Sequence, residues 1–192
     1  MKLMALLLFP MLAATLAASS DAANATPVAG LKVCEAEMIG AAEKYDVPLG
    51  VLYAVGMTET GRKGSLHPFA LNIEGKSVFA GSAEEALRVF AKARKRGAKL
   101  IDLVCMQINH HYHGREFESP RAMLTPALNV TYAAKFLKQL RKREGTWTMA
   151  VARYHAGPNN NPAQKRYICA VIRNLVVSGF GAWTPEARRF CK

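Results

Sequence analysis

The chain has 192 residues, enough for one domain with a real core once a leader is removed. Its 26 basic residues against 14 acidic ones give a net charge of +12, which favours a polyanionic partner. For an exported protein that means cell-wall polymer, anionic lipid or lipopolysaccharide rather than nucleic acid, and no segment after the leader is long and apolar enough to cross a membrane.

The chain begins Met1-Lys2, continues through an apolar run from Leu3 to Leu16, and then carries small residues to Ala25. This is the form of a secretory signal peptide. Residues 1–25 are therefore expected to be a signal, cut between 18 and 25, residues 26–32 a flexible arm, and residues 33–192 the folded domain. The first cysteine, Cys34, does not directly follow the apolar run, so no lipid-modified N-terminus is expected. The expected location is the periplasm or the secreted fraction. Four cysteines, Cys34, Cys105, Cys169 and Cys191, predict two disulfides in any of three pairings. Their wide spacing, with no C-x-x-C unit, argues against zinc.

A first helix is predicted over 33–45, broken at Asp46-Val47-Pro48, with Pro48 opening a second. Leu52, Val55 and Glu59 share one face of that helix. The segment from Ala70 to Ala80 alternates and contains Glu74-Gly75, a hairpin turn. Ser82-Ala83-Glu84-Glu85 reads as a capping box, opening a helix that runs to about Arg96 and stops at Gly97. That helix carries the densest basic cluster, Arg88, Lys92, Arg94, Lys95 and Arg96, part of which a helix C-terminus attracts in any case. Met106 to Asn109 alternates as a short extended segment. Further helices are predicted from Thr125-Pro126 to Gly145, over 147–155, from Asn161-Pro162 to Ser178, and as a short piece over Pro185 to Phe190. The fold class is α+β, predominantly α-helical, with a small β element.

Glu59 stands on the face of Leu52 and Val55, against the core. Desolvation there disfavours the charged carboxylate and raises its pKa, so that a protonated carboxyl can donate to a glycosidic oxygen. The amides of Gln107 and Asn109 supply the donors and acceptors that sugar hydroxyls and N-acetyl groups require. Tyr154 precedes a Gly157-Pro158 turn, and a phenol there can hydrogen-bond a carboxyl. His110, His111 and His113 lack converging acidic partners, so neither a metal nor another cofactor is expected. No G-x-S-x-G is present, and disulfides would remove the cysteines as nucleophiles.

With those residues in hand, the chain resembles the soluble lytic transglycosylase (SLT) domain family of the lysozyme-like superfamily, over about residues 33–178. Tyr45-Asp46-Val47-Pro48 resembles the family's YGVP, Glu59-Thr60-Gly61 its ESG, and Met106-Gln107-Ile108-Asn109 its GLMQIN. The segment from Asn129 to Leu137 resembles its N-I-x-x-A-A-x-Y-L helix, Tyr154-His155-Ala156-Gly157 its YNAG, and Ala70 to Gly97 the insertion of one branch.

The resemblance implies a lysozyme-like fold and, as substrate, the β-1,4 bond from N-acetylmuramic acid to N-acetylglucosamine in peptidoglycan glycan strands. Glu59 would be the single acid/base, and the muramoyl 6-hydroxyl would close onto C1 as a 1,6-anhydro end. Thr60 would position sugar or acid, Gln107, Asn109 and His155 would contact saccharide, and Tyr154 would hold Glu59 in its reactive orientation. Asp102 is the other acid beside a matching block. Two departures stand out: Val104-Cys105 where the family has Gly-Leu, and His155 where it has asparagine. A hydrolytic muramidase of the same fold and a non-catalytic wall-binding scaffold are the alternatives. A dedicated wall-opening role with secretion-system or flagellar components is compatible with the resemblance.

Overall fold

The computed structural model describes residues 33–62, 64–157 and 161–192, so the expected signal peptide and arm, and the Pro158 half of the expected turn, lie outside the described residues. In chain order the elements are α1 (Val33–Tyr45), α2 (Leu49–Thr60), β1 (Ala70–Ile73), β2 (Lys76–Phe79), α3 (Ala83–Lys95), β3 (Ile101–Leu103) and β4 (Ile108–Asn109). A short α4 (His110–His113) and a 3₁₀ turn (Gly114–Glu116) follow, then α5 (Pro120–Met123), α6 (Pro126–Glu144), α7 (Trp147–His155), α8 (Asn161–Val177) and α9 (Pro185–Phe190). The class is α+β and predominantly helical.

The short-range signals act as their chemistry dictates. Ser82 Oγ accepts from Glu85 N–H at 3.2 Å and Glu85 Oε2 accepts from Gly81 N–H at 2.8 Å, which ties off the start of α3. Glu74 and Gly75 both take positive φ, +50° and +89°, and the strands they join pair from Ile73↔Lys76 to Ala70↔Phe79.

The sheet is antiparallel throughout, in the order β2-β1-β3-β4. Its register aligns Leu71, Leu103 and Ile108 in one cross-strand row, all buried, and Asn72, Asp102 and Asn109 in the adjacent row. Because strand side chains alternate between faces, the second row points away from the core.

Between β3 and β4 the structure departs from expectation. Only Ile108–Asn109 is strand, while Met106 and Gln107 lie in the turn that reverses the chain. Val104 (φ +68°) and Gln107 (φ +46°) both occupy the left-handed region that makes this reversal. Valine is an unusual residue there, and glycine would adopt the conformation without a Cβ conflict. The glycine of the family pattern thus has a physical reason, and in this chain valine takes the left-handed conformation instead.

The turn is held from two sides. Cys105 is bonded to Cys34 at the start of α1. On α6, fully buried Asn129 accepts from Met106 N–H at 3.0 Å through Oδ1 and donates to Leu103 O at 3.0 Å through Nδ2. The second disulfide, Cys169–Cys191, fastens the chain end after α9 to α8. The core runs from Met38 and Leu52 through Leu71, Leu103 and Met106 to Leu137, with α2 packed on α8 and α6 packed on α1 and α7.

Candidate active site

Glu59 lies in the last turn of α2. Leu52, Ala54, Val55 and Gly56 bury one side of that helix in the core. The helix must stop at once after Glu59-Thr60, and Gly61 makes that stop. Its N–H donates to Met57 O at 3.1 Å, and any Cβ at this position would fall 2.2 Å from that same oxygen. Glycine is therefore required sterically for the chain to leave the helix here.

Glu59 faces a cleft of about 260 Å³ lined also by Asn72, Asp102, Gln107, Asn109, Tyr112, His113, Phe136, Tyr154 and His155. The residue is half-buried: part of it reaches the cleft, while its carboxyl is packed against α8. Burial pushes the Glu59 pKa up, the Tyr167 hydroxyl opposes this, and the nearby Asp102 charge adds to it, for a net value of about 7. At neutral pH the group is poised between acid and base.

The phenol on Glu59 is that of Tyr167, whose hydroxyl donates to Oε1 at 2.5 Å. The expectation that Tyr154 holds the acid is corrected by this contact. Tyr154 lines the cleft, but its hydroxyl donates to Met106 O at 2.7 Å and so steadies the β3–β4 turn. The physical reason is which elements pack together: α8 lies against α2, whereas the end of α7 meets the β3–β4 turn. Tyr167 belongs to the buried stripe Gln164, Tyr167, Ile168 and Val171 of α8. That i, i+3, i+4, i+7 pattern marks the tyrosine as buried, but nothing local names its partner. Farther along α8, Asn174 Nδ2 donates to Thr58 Oγ1 at 2.9 Å and fixes the end of α2 against the same helix.

Thr60 sits outside the cleft. It is 4% exposed, and its hydroxyl is directed at Cys105 O (3.1 Å) and Gly56 O (3.3 Å), linking α2 to the turn. Gln107 lines the cleft with its Nε2 donating to Val104 O at 2.9 Å and Ala70 O at 3.2 Å, which leaves its side-chain oxygen as the free acceptor. Asn109 Nδ2 donates to Asp102 Oδ1 at 2.6 Å, while its Oδ1 caps α4 through His111 N–H. His155 lies flat on Tyr167, with ring centroids 4.2 Å apart and planes within 4°. Burial, then Arg166, holds the His155 pKa below its usual value.

Asp102 and Asn72 are cleft residues to which sequence reasoning gave no role. Both belong to the polar cross-strand row, and strand alternation identifies them once the register is known. Burial raises the Asp102 pKa, against the Asn109 hydrogen bond. The cleft thus holds two carboxyl groups, one strongly shifted and one less so. Among the described residues no three His, Cys, Asp or Glu side chains converge as metal ligands. His113 Nδ1 instead meets the Tyr132 hydroxyl at 2.8 Å, and the His110 ring packs edge-on to Phe90.

Residues 37–170 match the family described as "Transglycosylase SLT domain". This is more than half of the chain, and it spans every cleft residue named above: the chain belongs to that family, a lysozyme-like domain that acts on peptidoglycan as a lytic transglycosylase type. No curated protein and no solved structure matches the chain. Two disulfides fit an oxidising compartment, and no described helix is long and apolar enough to cross a membrane.

Proposed function

We propose that this chain is an exported lytic transglycosylase, acting in the periplasm or outside the cell, that cleaves the β-1,4 bond between N-acetylmuramic acid and N-acetylglucosamine. The observation that carries the reading is Glu59 itself: one carboxyl at the end of a buried helix, with its pKa near 7, opening on a cleft lined with amides. Protonated Glu59 donates to the leaving glycosidic oxygen as the C1–O bond breaks. The resulting carboxylate takes the proton of the muramoyl 6-hydroxyl as that oxygen bonds to C1. The proton returns to Glu59, no water is consumed, and the product carries a 1,6-anhydro end. Tyr167 donates to the carboxylate formed midway, so its contact strengthens as the charge develops. Thr60 and Tyr154 act on the cleft through the backbone of the β3–β4 turn, and Gln107, Asn109 and His155 border the sugar-binding space.

One observation favours a second reading. Asp102 opens on the same cleft as Glu59, and a carboxylate facing an acid is the arrangement that activates water in inverting glycosidases. In that case the protein is a muramidase. Association with secretion-system or flagellar components is not needed by either reading, and co-purification with envelope machinery is its test.

Digestion of purified peptidoglycan, read by mass spectrometry, separates the readings. Anhydro-ended products from the wild type and none from Glu59→Gln are expected. Reducing ends, one water heavier and lost in Asp102→Asn, would make it a muramidase. Wall binding without products from either protein would favour a scaffold.

A further inference from the structure

A second groove lies at the opposite end of α2. Pro48, at the start of that helix, is separated from Glu59 by about 16 Å at the helical rise per residue. The groove has a volume of about 470 Å³, larger than the cleft, and its walls include Pro48, Lys138, Arg141, Lys142 and Trp147. The Arg141 guanidinium lies over the Trp147 ring, 5.9 Å from its centroid. Lys138 donates to Asp46 Oδ2 at 2.6 Å, which uses up the groove's acid. Arg141 and Lys142 meet no carboxylate among the described residues. Beyond the groove, Lys135 and Lys44 flank the Tyr45 ring at 5.4 and 5.7 Å.

Cations gather at helix C-termini for the sake of the helix dipole, and that accounts for Arg141 and Lys142 on α6 in part. It does not account for Lys138 and Lys135, which stand one and two turns earlier respectively, nor for an aromatic ring in the wall. Lys135, Lys138 and Lys142 recur at i, i+3 and i+7 and share one face of α6. A half-exposed indole between cations suits an acidic saccharide: the ring packs on the apolar face of a pyranose, and the guanidinium and ammonium pair with carboxylates. The sign agrees with the +12 of the whole chain.

We propose that this groove is a second, non-catalytic binding site for carboxylate-bearing peptidoglycan strands, engaging the polymer away from the cleft. The choice of ligand rests on the peptidoglycan reading above. Aromatic rings among cations also suit single-stranded nucleic acid, but disulfides and a wall-directed domain argue for the wall polymer.

The test uses the mature protein with Glu59→Gln, to prevent cleavage, and Trp183→Phe, so that Trp147 is the remaining one of two tryptophans. Its fluorescence is titrated with soluble uncross-linked peptidoglycan strands, with neutral chitotetraose and with an oligothymidylate. A saturable change with peptidoglycan strands is expected, weakened at least about tenfold by Arg141→Ala/Lys142→Ala and by added salt, and absent with chitotetraose. No saturable change, a change that survives the double substitution, an equal response to chitotetraose, or tighter binding of the oligothymidylate would overturn the proposal. Should the double variant unfold, Lys142→Glu at an exposed position supplies the same readout. In the Glu59 background the double variant should cleave short soluble glycans at the wild-type rate and intact sacculi several-fold more slowly. Failure of the wild type to cleave, with the Trp147 response intact, would remove the enzymatic reading and leave the groove. Cleavage without that response would remove the groove alone.

Discussion

Tyr167→Phe isolates the contact on which the acid depends. The substitution deletes one hydroxyl and leaves the ring, its place in the α8 stripe and its stack on His155. What is lost is a hydrogen bond of 2.5 Å to the Glu59 carboxyl, which favours the ionised form and opposes burial. A hydrogen bond to a charged group contributes about 1.5–3 kcal/mol. At about 1.4 kcal/mol per pH unit, its loss moves the Glu59 titration upward by about one to two units. Protonated Glu59 is the form that starts the reaction, so activity falls as pH rises through the Glu59 pKa, about 7 in the wild type. The alkaline limb of kcat/KM against pH, which reports the free enzyme, should therefore shift to higher pH in Tyr167→Phe. The maximum rate should drop by about tenfold or more, because the carboxylate formed midway loses its donor. Tyr154→Phe provides the contrast: it frees Met106 O, and should lower the rate or stability with a smaller displacement of the limb. A folded Tyr167→Phe protein whose alkaline limb stays put, or moves to lower pH, would refute this account.

The raised Glu59 pKa has a cost in stability. The folded state holds a proton between the ordinary 4.5 and about 7, so the full stability is present below the lower value and is lost as pH rises through the upper one; the loss is at most about 3 kcal/mol, since the cleft admits some water. Glu59→Gln should accordingly melt at a higher temperature than the wild type at pH 8 and at nearly the same temperature at pH 4. At Val104 the left-handed backbone should invert the usual order of small residues: Val104→Gly should be more stable than Val104→Ala by about 1 kcal/mol in urea unfolding. The two disulfides close loops of 71 and 22 residues, so removing Cys34–Cys105 should cost up to about 4 kcal/mol and removing Cys169–Cys191 up to about 3 kcal/mol. Glycan cleavage should fall with the first, which holds the turn before Met106, and persist with the second.

Much of this architecture is readable from short stretches of chain. The break at Asp46-Val47-Pro48, the Ser82 capping box, the Glu74-Gly75 hairpin and the Gly145 stop of α6 each depend on residues within a few positions of one another. Glu59 is legible for the same reason: three residues at helical spacing put it on the buried face. Helical periodicity, capping and turn chemistry are local, and a sequence states them directly. The pairing of the four cysteines is not local, nor is the row Asn72-Asp102-Asn109, which exists only when three strands take their register. Asn129 reads as an ordinary helix residue until its amide is seen gripping the backbone on both sides of the β3–β4 turn. The choice between Tyr154 and Tyr167 as the partner of Glu59 turns on which helix packs against α2, 108 residues away in the chain. That is decided by the fit of buried faces across the whole core, a property that no single segment carries.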